Sequence, residues 1–82
     1  MANVTVLFFA RYAELAGCAS ASVAVPSPAT VEDVVRRVRE TVPGARALPD
    51  RPLAAINLRQ VKLTAPVRDG DEVAFLPPVA GG

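Results

Sequence analysis

From Asn3 to Phe9 the chain alternates on a period of two. Val4, Val6 and Phe8 fall on one side of an extended segment and Thr5, Leu7 and Phe9 on the other, a run of β-branched and aromatic residues that predicts a central strand. Helix formers follow over Ala10 to Ala16, and Gly17 stands where a helix C-terminus accepts a positive φ, so a short helix or helical turn comes next. Ala21 to Val25, with Val23 and Val25 on one face, reads as a second strand stopped by Pro26 and Pro28.

The period then changes. Val31, Val34, Val35, Val38 and Val42 recur at helical spacing and form one apolar stripe, while Arg36, Arg37, Arg39 and Glu40 fill the other side. Thr30 is a good N-cap, Asp33 stands three residues on in a variant of the capping box, and Pro43 and Gly44 end the helix. An all-valine stripe has modest intrinsic helix propensity, so this helix requires a sheet beneath it. Ala45 to Pro52 has two prolines and no periodicity and reads as a loop. Leu53 to Asn57 is a third strand, Leu58 to Gln60 a turn and Val61 to Leu63 a short edge strand. Asp69-Gly70-Asp71 is a tight turn before the last strand, Glu72 to Leu76.

One main helix crossing between strands packs on one face of a sheet and leaves the opposite face for solvent or a partner. This order predicts an α+β, ubiquitin-like β-grasp domain: a mixed sheet of about five strands with one main helix on one face and parallel central first and last strands. Its expected bounds are residues 1–76, with 77–82 as an extended C-terminal tail.

Composition narrows what such a domain can do. With 82 residues it holds a single core, and its formal net charge of +1 gives no field for nucleic acid or an anionic membrane surface. The longest apolar run, Val6 to Ala10, is far below the ~20 residues of a membrane span, and the N-terminus has no signal-like pattern; a cytoplasmic protein is expected. There is no histidine and only one cysteine, Cys18, which removes zinc clusters, internal disulfides and every Ser-His or Cys-His pair. No metal site and no autonomous catalytic apparatus are expected. The Asp69, Asp71 and Glu72 group reads as turn chemistry, Cys18 as a small residue, and the Arg36, Arg37, Arg39 face as solvated helix surface.

The chain finishes Pro77-Pro78-Val79-Ala80-Gly81-Gly82. Two prolines cannot continue a central strand, so the chain leaves the sheet in extended form. Glycine has no Cβ to clash with the walls of a narrow channel, so a tail of this kind can be threaded into one.

LFFARYAELAG at Leu7 to Gly17 and DGDEVAFLPPVAGG at Asp69 to Gly82 resemble the two signatures of the molybdopterin synthase small subunit, a ubiquitin-like sulfur-carrier family. The resemblance implies a mechanism and a set of partners. An ATP-dependent adenylating enzyme related to the ubiquitin activators adenylates the carboxylate of Gly82, and sulfur replaces AMP to give a covalent thiocarboxylate. A free α-carboxyl has a pKa near ~3.5 and is an anion and poor electrophile at neutral pH, so such activation is needed. The large catalytic subunit then takes the tail, and the thiocarboxylate gives sulfur to a pterin precursor. On this picture Gly82 carries the sulfur, Gly81 permits its passage, and Pro77, Pro78, Val79 and Ala80 form the arm. No cofactor is bound; ATP is used by the activating enzyme. A hetero-oligomer is implied.

Leu7, Phe9, Ala74 and Leu76 are expected to share the face away from the helix and to form an apolar docking platform at the root of the tail. Arg11 and Arg68 are candidates for steering an acidic partner surface. The same tail leaves open a carrier for thiamine or cysteine synthesis, a ubiquitin-like protein modifier, and a binding module whose tail is inert.

Overall fold

In the computed structural model, which describes residues 1–49 and 51–77, the alternation at the N-terminus becomes β1, Ala2–Phe8. Its Ala2, Val4, Val6 and Phe8 are buried in the core, and Asn3 and Thr5 are exposed. The chain then turns sharply into helix α1, Arg11–Ala16, with the Tyr12 amide donating to the Phe9 carbonyl at 3.0 Å. Ala10, the second residue of that turn, has φ 50° and ψ −126°. This is a conformation that suits glycine and strains any residue with a Cβ by about 1–3 kcal/mol. Ala10→Gly is therefore expected to stabilise the fold by about 1 kcal/mol, the relief exceeding the added unfolded-state entropy, and to raise Tm by about 4–8 °C in a thermal melt. Gly17 closes α1 in the left-handed region at φ 77°, its amide donating to the Ala13 carbonyl.

Strand β2, Ser20–Val25, runs antiparallel to β1. A two-residue strand, β3 (Ala29–Thr30), pairs with β6 (Pro66–Val67) in a small second sheet at the entrance to helix α2, Val31–Thr41. The α2 amides of Val31 and Glu32 donate to the carbonyls of Ala65 and Leu63, so tertiary partners take up donors that a helix start leaves open. The capping box is complete: Thr30 Oγ1 accepts from the Asp33 amide, and Asp33 Oδ2 accepts from the Thr30 amide at 2.8 Å. That backbone hydrogen bond from Thr30 is the main reason the Asp33 carboxyl is held below its ordinary pKa, and its neighbour Arg36 adds to it. A carboxyl lowered on folding stabilises above its unfolded pKa and loses that contribution as pH falls through the folded value. Asp33→Ala should cost about 1 kcal/mol at neutral pH, with the gap to the wild type narrowing below about pH 4 in pH-dependent melts.

Val31, Val34, Val35 and Val38 turn into the core, as the stripe requires. Val42 is the C-cap and only half-buried. Part of the segment expected to be an unstructured loop is ordered instead. A 3₁₀ turn spans Pro43–Ala47, and Ala45 and Leu48 are fully buried between the helices and the sheet. The turn is drawn in by a close approach at Gly44, where a Cβ would collide with the Leu15 carbonyl oxygen and lie 2.8 Å from Ala16 Cα.

Strand β4, Leu53–Ile56, is followed by β5, Arg59–Val61, two residues earlier than the Val61 to Leu63 strand expected from the sequence. The reason is a two-residue hairpin turn in which Asn57 and Leu58 both take positive φ, 49° and 74°, so that Ile56 pairs with Arg59. The last strand, β7, is Glu72–Leu76. The main sheet has five strands in the order β2-β1-β7-β4-β5, with β1 and β7 parallel and the other pairs antiparallel. A mixed sheet of five strands with one main helix and parallel first and last strands at its centre is the ubiquitin-like β-grasp fold that the element order predicts.

Candidate functional site

The two faces of the central strands have different occupants. On the helix side, Val73 and Phe75 of β7 are fully buried beside Val6 and Phe8, and the Phe8 and Phe75 rings lie 6.4 Å apart. On the outer side the register builds rows that cross three strands. Thr5, Glu72 and Asn57 lie at one end, and Leu7, Ala74 and Ala55 make the middle row. Leu76 opposite Leu53 makes the last row, next to the point where β7 ends, and Phe9 leaves β1 at the same end.

Of the four residues expected on one face, Leu7, Ala74 and Leu76 are thus brought to the same side of the sheet, and Phe9 follows the end of β1 beside them. Leu7 and Leu76 are half-buried, Ala74 is nearly covered, and Phe9 is 43% exposed. Leu53, also 43% exposed, and Ala55 belong to this face and were not among the residues expected there. Their signal was present in the alternation of Leu53 to Ile56, but nothing in the sequence says that this strand lies against the last one. Ala45 and Leu48 are in the helix-side core, so the 3₁₀ turn does not account for cover over the outer face.

Pro77, half-buried, is the last described residue of the tail. Pro78, Val79, Ala80, Gly81 and Gly82 lie outside the described residues. What the structure supplies is their point of departure: the end of the central strand β7, beside Leu76, Leu53 and Phe9.

The acidic turn at the far end of β7 is taken up by hydrogen bonding to backbone amides and to the Asn57 side chain. Asp69 Oδ1 accepts from the Asn3 amide at 2.7 Å, Asp71 Oδ2 from the Arg68 amide at 2.8 Å, and Asp71 Oδ1 from Asn57 Nδ2. Among the described residues no group of three acidic or cysteine side chains is placed to hold a metal. Cys18 is half-buried, with its Sγ 3.8 Å from the Ala16 carbonyl oxygen. Arg36 pairs with Asp33 and Glu32 on the surface of α2. Arg11 and Arg68, considered together from the sequence, are at opposite ends of the sheet: Arg11 follows Phe9 at the tail end, and Arg68 precedes the acidic turn. No helix of the described residues is long and apolar enough to cross a membrane.

A β-grasp domain with parallel central first and last strands, the last ending beside an apolar face, defines a class, that of the ubiquitin-like proteins, and the comparisons with known proteins agree. The chain belongs to the ThiS family, whose model matches residues 6–82. The molybdopterin synthase sulfur carrier subunit of Escherichia coli is 44% identical over 81 residues, spanning 96% of this chain and 99% of the relative. Among solved structures, SAMP1 from Haloferax volcanii superimposes with a TM-score of 0.84 at 30% identity, covering 98% of this chain and 99% of that one. The Amycolatopsis orientalis BexX/CysO complex contains a chain that matches with a TM-score of 0.68 at 29% identity, over 96% and 99% of the two chains.

Proposed function

We propose that this protein is the sulfur carrier of a molybdopterin synthase. The observation that carries this reading is the full-length match to the Escherichia coli sulfur carrier subunit together with a family match that runs through Gly82. On this reading the Gly82 carboxylate is adenylated by an ATP-dependent activating enzyme and converted to a thiocarboxylate. The tail, residues 77–82, carries it into a large catalytic subunit, where it gives sulfur to a pterin precursor. Gly81 allows close passage and Pro77, Pro78, Val79 and Ala80 form the arm. The outer face around Leu7, Phe9, Ala74 and Leu76, extended by Leu53 and Ala55, is the docking surface. The likeness to a chain solved in complex with BexX supports a hetero-oligomer, and the cytoplasm, where ATP and the precursor are available, is the proposed location.

The chemistry of Gly82 decides it. Incubation with ATP, a sulfur source and the activating enzyme of the same organism should yield a product that is heavier by the replacement of O with S, reacts with thiol-specific reagents, and is absent from a chain lacking Gly82. Labelling is required because oxidation of Met1 or Cys18 gives a similar mass. An unlabelled product, or none with an enzyme shown to work, would sink the reading. The likeness to SAMP1, a small archaeal modifier, favours a second reading in which Gly82 is joined to lysines of target proteins; isopeptide-linked products in cell extract that depend on Gly82 distinguish it.

A further inference from the structure

At the tail end of the outer face, the apolar rows run into a surface hollow of about 380 Å³ lined by Arg51, Leu53, Gln60, Lys62 and Thr64. Leu53 belongs to both, so the hollow and the apolar face are continuous. Arg51 and Lys62 are exposed, and among the described residues no carboxylate lines the hollow and neither cation has an ion pair. The contrast is with α2, where Arg36 is held by two acids of its own helix. A hollow of about 310 Å³ on the helix side mixes Arg36 and Arg37 with Asp33 and Glu40 and carries no comparable bias.

The opposite end of the same face is acidic. Glu72 lies on it, with Arg68, Asp69 and Asp71 just before. Four residues of strand separate Glu72 from Leu76, about 13 Å at the usual strand rise. That exceeds the Debye length of about 8 Å at physiological salt, so the two ends act as separate poles rather than cancelling.

We propose that the Arg51 and Lys62 hollow receives carboxylate side chains of the large subunit that takes the tail, so that the partner's surface is apolar opposite Leu7 to Leu76 and acidic beside the mouth that admits residues 77–82. The inference rests on the outer face being the docking surface. Charge at the rim of an interface acts mainly on encounter and orientation, and an acidic counter-surface at one end only admits a single orientation of this carrier. Nucleic acid does not fit, since the same face presents Glu72 to it.

The test uses the full chain and the large subunit of the same organism, with association followed by stopped flow from about 20 to 500 mM NaCl, a range over which screening changes severalfold. The paired variant Arg51→Glu, Lys62→Glu should lower the association rate about 10-fold or more at low salt and flatten its salt dependence, with dissociation changed less than about 3-fold. Arg37→Glu with Arg46→Glu, an equal change of charge at exposed helix-side positions, should stay within about 3-fold of the wild type. If the two paired variants behave alike while Phe9→Asp still weakens binding, the inference falls and the docking face stands. If neither the Arg51 and Lys62 pair nor Phe9→Asp alters binding, the docking face falls and takes the inference with it. Saturable binding of inorganic phosphate to the free chain at constant ionic strength, lost in the Arg51→Glu, Lys62→Glu variant, would overturn the inference in favour of a small-anion site.

Discussion

Phe75→Ala is expected to remove about 3–5 kcal/mol of folding stability, the usual cost of deleting a fully buried aromatic ring. The ring is 0% exposed, at the centre of the middle strand of the sheet. It is flanked by Phe8 on β1 and Ala54 on β4, and Ala54 is too small to fill the space left behind. At about 0.05–0.15 kcal/mol per residue, a chain of this length has roughly 4–12 kcal/mol in total, so the variant loses about a quarter of its stability at best and all of it at worst. Urea denaturation should show a much lower midpoint with an unchanged slope. The adjacent residue supplies the control. Leu76 is half-buried on the outer face, and Leu76→Ala should cost no more than about 1 kcal/mol. Equal losses at positions 75 and 76 would contradict the two-faced reading of β7, and with it the placing of a docking surface.

How far the sequence carried depended on whether each feature is decided locally. The Thr30 and Asp33 box, the valine stripe and the Gly17 cap each need only a few neighbouring residues, and the structure repeats all three. The hairpin after β4 does not declare itself, because Leu58 is an unfavourable residue for positive φ and no Asn-Gly or Asp-Gly pair marks the turn. The β5 register slipped for that reason. Pro43–Ala47 shows no period because its order is tertiary: Gly44 meets the end of α1, and Ala45 and Leu48 fill gaps beneath it. Strands β3 and β6, two residues each, are too short for any alternation to appear.

The candidate site divides the same way. The role proposed for the Gly81-Gly82 tail rests on residue identity alone, and the shared face of Leu7, Ala74 and Leu76 follows from simple alternation. Leu53, Ala55 and the Arg51 and Lys62 hollow required knowing that β4 lies against β7 and that β5 lies beside β4. Residues that are local along one strand were legible, and residues gathered from neighbouring strands were not.

Phe9→Asp and Leu53→Asp should each weaken binding to the large subunit by about 30-fold or more, while leaving the fold nearly unchanged. A protein partner of ordinary size covers about 800 Å² on each side, roughly a sixth of the 5065 Å² this chain exposes. A carrier this small meets that requirement only by committing most of one face, and the helix side is already occupied by α1, α2 and the 3₁₀ turn. The remaining face has small or covered side chains in its middle row, Leu7, Ala74 and Ala55, and two large exposed apolar residues, Phe9 and Leu53, at the tail end. Those two are the anchors available to a partner, and truncating an anchor at a desolvated contact costs about 2 kcal/mol or more before the burial of a carboxylate is counted. Both are 43% exposed in the free chain, so the substitutions should shift Tm by no more than a few degrees. Titration calorimetry against the large subunit, run beside thermal melts of the carrier alone, separates the two effects. Wild-type affinity in both variants would move the docking surface off this face.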